Sequence, residues 1–332
     1  MYSTTERCLL ACYNRSMTDI QHSLTAAIIG APTDLGAENL GVGMGPSAFR
    51  FQQITHKLKA AGIDAADTGD VAVKERSQLD PGNPRLKYLD EICRVNEQIA
   101  ARTDQAVKDG NKAIVLGGDH SIALGAVAGA SAAVRGDIGL IYLDAHGDMN
   151  TDETTPSGNI HGMDLAALLG FGARELVRTY GEQTKLDTHN LLHIGGCDWD
   201  QAELDLIARE NIASFTLFDL LTRGLGALLP MIDDLRSRVG NIWISLDLDS
   251  IDKIYAPGAG MPNAKGLSYR EIAAIADYIG SHCNVIGVDV VEYNPLQDEQ
   301  NKTAELGIEL IARFFGREYS WYSNYLEKNK VS

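Results

Sequence analysis

Gly139-Leu-Ile-Tyr-Leu-Asp144-Ala-His146-Gly-Asp148 is an apolar run that ends abruptly in three potential metal ligands. An unbroken run of this length, Ile138–Leu143, reads as a strand buried on both faces. The same grammar recurs elsewhere. Asn241–Leu246 leads into Asp247-Leu248-Asp249, Ala113–Leu116 into Gly117-Gly118-Asp119-His120-Ser121, and Val285–Val290 into Val291-Glu292. Ala26–Ile29, Leu191–Ile194 and Ser214–Leu217 are further strand candidates. Between them lie stretches with helical periodicity: Leu89–Lys108, Ile122–Ala133, Leu165–Thr179, Gln201–Glu210 and Tyr269–Ile279. Apolar strands alternating with helices specify a single α/β domain, its parallel sheet covered by helices on both faces. In such sheets ligands bind at the carboxyl ends of the strands, where every cluster above is placed.

The bulk properties agree with one large domain. The chain has 332 residues, 45% hydrophobic and 22% charged, without an internal repeat or a low-complexity linker. Its net charge of -16, from 45 acidic and 29 basic residues, argues against nucleic acid or an anionic membrane as the main partner. No apolar stretch approaches the roughly 20 residues that span a bilayer. Residues 1–24 hold the short patch Cys8-Leu-Leu-Ala-Cys12, which lacks the longer apolar core of a secretory signal. They read as an N-terminal extension, ordinary or poorly ordered, ahead of a domain over residues 25–332. Five cysteines in no recognisable spacing framework fit reduced thiols in a cytoplasmic protein.

The clusters carry the chemistry. In an extended segment alternate side chains share a face, which groups Asp144 with His146 and Asp148, and Asp247 with Asp249. Four carboxylates brought together repel and raise one another's pKa values unless cations neutralise them, and two divalent ions supply the required +4. Oxygen ligands with some imidazole suit manganese, and less exclusively iron, cobalt, nickel or zinc. Each cluster taken alone also has a plain reading, as a polar loop, a helix cap or a Gly-Gly turn; their joint occurrence favours a two-metal site. The polar stretch from Asn150 to Gly162 is either a solvated loop or a recognition rim, with donors for an anionic head group and His161 as a proton carrier near neutral pH. His193, inside an apolar run, reads as a satisfied core histidine; His22, His56, His189 and His282 read as surface or loop residues.

Together these motifs resemble the ureohydrolase superfamily, the arginase/agmatinase family of dimanganese enzymes, over about Ala26 to Phe315. Gly-Gly-Asp-His-Ser, Asp-Ala-His-x-Asp and Asp-x-Asp mark the superfamily. Gly41-Val-Gly-Met-Gly-Pro46, Ser157-Gly-Asn-Ile-His-Gly162 and Val291-Glu-Tyr-Asn-Pro295 look like arginase rather than agmatinase. The resemblance implies an arginase-like three-layer α/β/α domain with about eight parallel strands, and hydrolysis of L-arginine to L-ornithine and urea. It implies that His120, Asp144, Asp148 and Asp247 hold one Mn2+, and His146, Asp144, Asp247 and Asp249 the other, with Ni2+ or Co2+ as substitutes. His161 would shuttle protons and Glu292 would pair with the guanidinium. Asn150, Thr155 and Ser157 would contact the α-carboxylate of the substrate, Asp200 and Glu203 its α-amino end. A homotrimer or homohexamer is implied as well, with Tyr269-Arg270-Glu271 matching a subunit-contact segment. Agmatine, a guanidino acid, guanidine and formiminoglutamate are the other substrates within the superfamily, and a non-catalytic relative is the alternative from another class. Three departures bear on substrate choice: Gly260-Met261-Pro262 in place of Gly-Thr-Pro, Ser250-Ile-Asp-Lys253 in place of Gly-Leu-Asp-Pro, and Gly196-Cys197 where an arginine commonly stands.

Overall fold

The computed structural model describes residues 24–318. Eight strands form one sheet: β1 (Leu24–Gly30), β2 (Ile63–Asp70), β3 (Lys112–Leu116), β4 (Gly139–Leu143), β5 (Leu191–Ile194), β6 (Ala213–Phe215), β7 (Ile242–Asp247) and β8 (Val285–Val291). Their order is β2-β1-β3-β8-β7-β4-β5-β6, and every pairing is parallel. The eight-strand, helix-covered sheet matches the expectation. Of the expected extension only Leu24 is described, and it already belongs to β1; residues 1–23, with Cys8, Cys12 and His22, lie outside the described residues.

Strand side chains alternate between two separate cores. Ile28, Ile114, Ile141, Ile244 and Val288 pack beneath α1 (Gly45–Phe51), α2 (Ile54–Ala60), α8 (Leu217–Arg223), α9 (Leu229–Arg238), α10 (Tyr269–His282) and α11 (Lys302–Phe314). Ile29, Val115, Tyr142 and Trp243 face α3 (Leu89–Lys108), α4 (Ala123–Ala133), α5 (Asp164–Leu168), α6 (Arg174–Val177) and α7 (Gln201–Glu210). On that second face α4 is small and apolar all round because it is buried all round. A Cβ on Gly129 would stand 2.3 Å from the Ala100 carbonyl oxygen, so glycine sets how closely α3 and α4 cross.

Three expectations are corrected. Ile63–Asp70 was not among the strand candidates, because an edge strand reading Ile-Asp-Ala-Ala-Asp-Thr-Gly-Asp has one wet side and no apolar run. Leu165–Thr179 is not one helix: Gly170 (φ 94°) and Gly172 (φ 88°) take the left-handed backbone and divide it into α5 and α6. The strand expected over Ser214–Leu217 stops at Phe215, since Thr216 and Asp219 form a capping box that starts α8. The helices α1, α2, α8, α9 and α11 also went unread.

Candidate metal centre and active-site cleft

Four neighbouring strands in the middle of the sheet, β3, β8, β7 and β4, deliver the candidate ligands to one edge. Tight turns, not the strand pleat, bring them together. After β3, Asp119 caps the turn His120–Ile122 by accepting the Ser121 N–H. After β4, Asp144 accepts the His146 N–H at 2.7 Å, and Asp148 sits at φ 48°, a left-handed conformation that costs a non-glycine residue on the order of 1 kcal/mol. At the end of β7, Asp247 accepts the Asp249 N–H at 2.7 Å and caps the turn Leu248–Ser250. These turns, in place of strand alternation, set Asp144 beside His146 but Asp148 beside His120. Glu292, just past β8, is left-handed too (φ 59°).

Two clusters of potential ligand atoms share Asp144: one with His120 and Asp247, the other with His146 and Asp249. His120 Nδ1 lies 3.0 Å from Asp144 Oδ2, 3.1 Å from Asp148 Oδ2 and 3.3 Å from Asp247 Oδ2. His146 Nδ1 lies 3.0 Å from Asp249 Oδ2 and 3.5 Å from Asp144 Oδ1. Asp144 is fully buried, and its Oδ2 accepts no properly aimed hydrogen bond. Burial and neighbouring carboxylates push the Asp144 and Asp247 carboxyls upward. Burial alone would depress the His120 and His146 imidazoles, but the surrounding carboxylates raise both. A concentrated negative field with an unsatisfied buried carboxylate oxygen is the environment a divalent cation would relieve.

The outer contacts fix the His120 tautomer. Ser245 gives its only proton to Asp289 (2.6 Å), so the serine oxygen accepts from His120 Nε2 at 2.9 Å. With its Nε2 proton held by Ser245, His120 would offer Nδ1 as the lone pair to a cation that displaces the Nδ1 proton, as metal-ligating imidazoles require. Asp289 also accepts from Trp243 Nε1 at 2.5 Å.

Above the clusters opens a cleft of about 330 Å³. Of the site residues expected from the sequence, only His120 and Asp144 do not line it, being fully buried beneath its floor. On one wall Asn150 donates to Asp200 (2.7 Å) and accepts from Thr154 (2.8 Å). Thr155 accepts the Ser157 and Gly158 N–H groups, and Ser157 accepts that of Asn159. Asp200 caps α7, and Glu203 reciprocates by accepting the Asp200 N–H (2.9 Å) and the Met149 N–H (3.2 Å). Burial raises Glu203 to about 7. Across the cleft His161 Nδ1 lies 3.1 Å from Glu292 Oε1, and that oxygen also accepts the His120 N–H at 3.0 Å. Burial opposes the charge on His161, but Glu292 outweighs it and lifts the imidazole to about 9.

His193 is buried as expected, and its Nε2 donates to the His146 carbonyl oxygen at 2.8 Å. His56, His189 and His282 are exposed, as expected, with His56 on α2 and His282 at the end of α10. Met261, 43% exposed, lines the cleft beside Glu292, and Cys197 Sγ accepts from Asn263 Nδ2 at 3.0 Å. Tyr142, Asp164, Ser245 and Asp289, all fully buried around the clusters, went unread in the sequence. A charge inside the apolar run Val285-Ile-Gly-Val-Asp289-Val-Val291 and a phenol inside Gly139–Leu143 were the available signals.

The profile of the arginase family matches residues 24–316. The arginase of Bacillus caldovelox is 39% identical over 88% of this chain and 98% of its own length. That of Brevibacillus brevis is 39% identical over 87% of this chain and 97% of its own. The native structure of the Bacillus caldovelox arginase superposes with a TM-score of 0.84 at 38% identity, covering 89% of this chain and 98% of that one.

Proposed function

The chain belongs to the arginase family, and on that premise we propose that it hydrolyses L-arginine to L-ornithine and urea at a dimanganese centre. The observation that carries the reading is the pair of buried ligand clusters sharing Asp144 at the floor of the cleft. In this reading His120, Asp144, Asp148 and Asp247 hold one ion, and His146, Asp144, Asp247 and Asp249 the other. Two divalent ions would lower the pKa of water and supply a nucleophile at neutral pH. The chain's own residues do the rest. Glu292 receives the guanidinium. His161, held by Glu292, carries a proton between the cleft and the departing amine. Asn150, Thr155 and Ser157 receive the α-carboxylate, while Asp200 and Glu203 attract the α-ammonium. The Asn150–Asp200 hydrogen bond joins these two subsites, so one zwitterionic head group would bridge them.

Mn2+ is proposed over Ni2+ or Co2+ because carboxylates dominate the donor set. Tyr269 and Arg270 stand exposed at the start of α10, which supports a homotrimer or homohexamer built through that segment. The free thiols Cys93, Cys197 and Cys283 support a reducing, cytoplasmic setting. No helix among the described residues is long and apolar enough to cross a membrane.

Met261 is the one observation that favours a second reading within the family, a different guanidino substrate. Urea release from arginine, agmatine, guanidino acids and guanidine, with Mn2+, Ni2+ and Co2+ supplied separately, decides between them. Arginine with Mn2+ should be the best pair. A higher kcat/KM for another compound would replace the substrate assignment, and no urea from any pair would remove the urea-releasing reading.

A further inference from the structure

Behind the carboxylates a second buried acid remains. Asp164, the first residue of α5, is fully buried and lies three residues beyond His161. The Tyr142 hydroxyl meets three groups at once: Asp164 Oδ2 at 3.1 Å, Asp148 Oδ2 at 3.0 Å and His120 Nδ1 at 3.1 Å. The Tyr142 ring stacks on the His120 ring, with centroids 4.6 Å apart and planes 6° from parallel. The other oxygen of Asp164 has no partner. Among the described residues, the phenol is thus the sole hydrogen-bonding contact of this acid.

The O–H of a buried phenol can still turn about its C–O bond, and its single proton cannot serve three acceptors. Some group must therefore decide where the hydroxyl points. His120 Nδ1 and Asp148 belong to the proposed metal cluster, which leaves Asp164 as the anchor outside it.

We propose that Asp164 is a positioning residue that acts through Tyr142: its carboxyl group holds the phenol so that the hydroxyl lies against Asp148 and the ring covers His120. Both candidate ligands are thereby fixed for a divalent ion. The inference rests on the dimetal reading above. It also has a direct competitor, since His120, Asp148 and Asp164 come close enough to bind a cation themselves.

The test is Mn2+ titration of the metal-free full chain by calorimetry, beside the melting temperature of the same metal-free samples. Removing a group that orients a ligand typically weakens metal binding by about 10- to 100-fold. Asp164→Leu and Tyr142→Phe should each weaken one of the two ions by that factor and leave the other within about threefold. Asp164→Asn, which keeps a polar anchor of the same shape, should stay within about threefold of wild type for both. The KM for arginine should not change in any variant. A role confined to packing would lower the metal-free melting temperature without separating the two affinities, which overturns the proposal. So would wild-type affinities in both Asp164→Leu and Tyr142→Phe. An Asp164→Asn protein as weak as Asp164→Leu would make Asp164 a direct ligand, again overturning a positioning role. If Asp164→Leu does not fold, the near-isosteric Tyr142→Phe and Asp164→Asn decide alone. Fewer than two ions on the wild type would instead defeat the dimetal reading itself.

Discussion

Gly196 and Trp199 interlock: a Cβ on Gly196 would stand 2.0 Å from Trp199 Cζ2, so the indole occupies space that any other residue would claim. The Trp199 edge meets the His193 ring at 5.0 Å and 87°. His193, which burial holds down at about 4 and therefore neutral, donates from Nε2 to the His146 carbonyl oxygen. The missing side chain at position 196 is thus linked to a candidate metal ligand.

Gly196→Ala should displace the indole and lower stability by about 1–3 kcal/mol, the usual range for overpacking. Mn2+ affinity should fall with it. Trp199→Val in the same chain should recover part of the loss. Thermal melts and metal titration of the two variants beside the wild type check this; a Gly196→Ala protein that melts with wild type would sink it.

Under manganese-replete conditions, metal analysis should find two ions per chain. Asp247→Ala should abolish urea release and remove most of the melting-temperature rise that Mn2+ gives the wild type. A ligand at 100 times its Kd stabilises by about 2.7 kcal/mol, which such melts resolve readily. Retained activity in Asp247→Ala would refute its place between the ions.

The central strands and the six candidate metal ligands were legible because full burial leaves an uninterrupted apolar run, and a carboxylate ending such a run stands out. The edge strand β2 was not legible, because one wet side removes that pattern. Tyr142 and Asp164 were hidden for another reason. Tyr142 is a phenol inside an apolar strand and Asp164 an ordinary helix-start residue, and their joint meaning lies in a contact across 22 positions. The grouping of Asp144, His146 and Asp148 came from a pleat argument that the left-handed turn at Asp148 replaces.

The head-group contacts predict discrimination. Agmatine lacks the carboxylate that Asn150, Thr155 and Ser157 are proposed to receive. Losing hydrogen bonds to an ionised group costs about 1.5–3 kcal/mol each, so kcat/KM for agmatine should be at least roughly tenfold below that for arginine. Equal use of both would move the chain to another branch of the family.

The His161–Glu292 pair predicts a pH dependence. Burial opposes the imidazolium but Glu292 prevails, so the folded-state pKa (about 9) exceeds the ordinary 6.5. The resulting stabilisation is present in full below pH 6.5 and is lost as pH rises through about 9. In metal-free protein the stability gap between wild type and Glu292→Gln should therefore narrow across that window. NMR titration of His161 should show a lower pKa in Glu292→Gln. A value still near 9 would transfer the effect to Asp148 and Asp119, which also raise it.

Met261 stands in the cleft wall beside Glu292, and the Gly260 N–H donates to the Glu292 carbonyl oxygen at 2.7 Å. The side chain at 261 thus sits one residue from the backbone that holds Glu292, the proposed guanidinium partner. A thioether cannot supply a hydroxyl's hydrogen bond, and it fills more of the space a substrate would enter. Met261→Thr should raise arginine turnover if the methionine merely restricts an arginine pocket. If the methionine instead shapes the pocket for another guanidino compound, the same change should lower activity on that compound while improving arginine. Steady-state kinetics of both proteins across the substrate panel separate the two outcomes. A change below about threefold on every substrate, under roughly 1 kcal/mol, would mean that position 261 only packs.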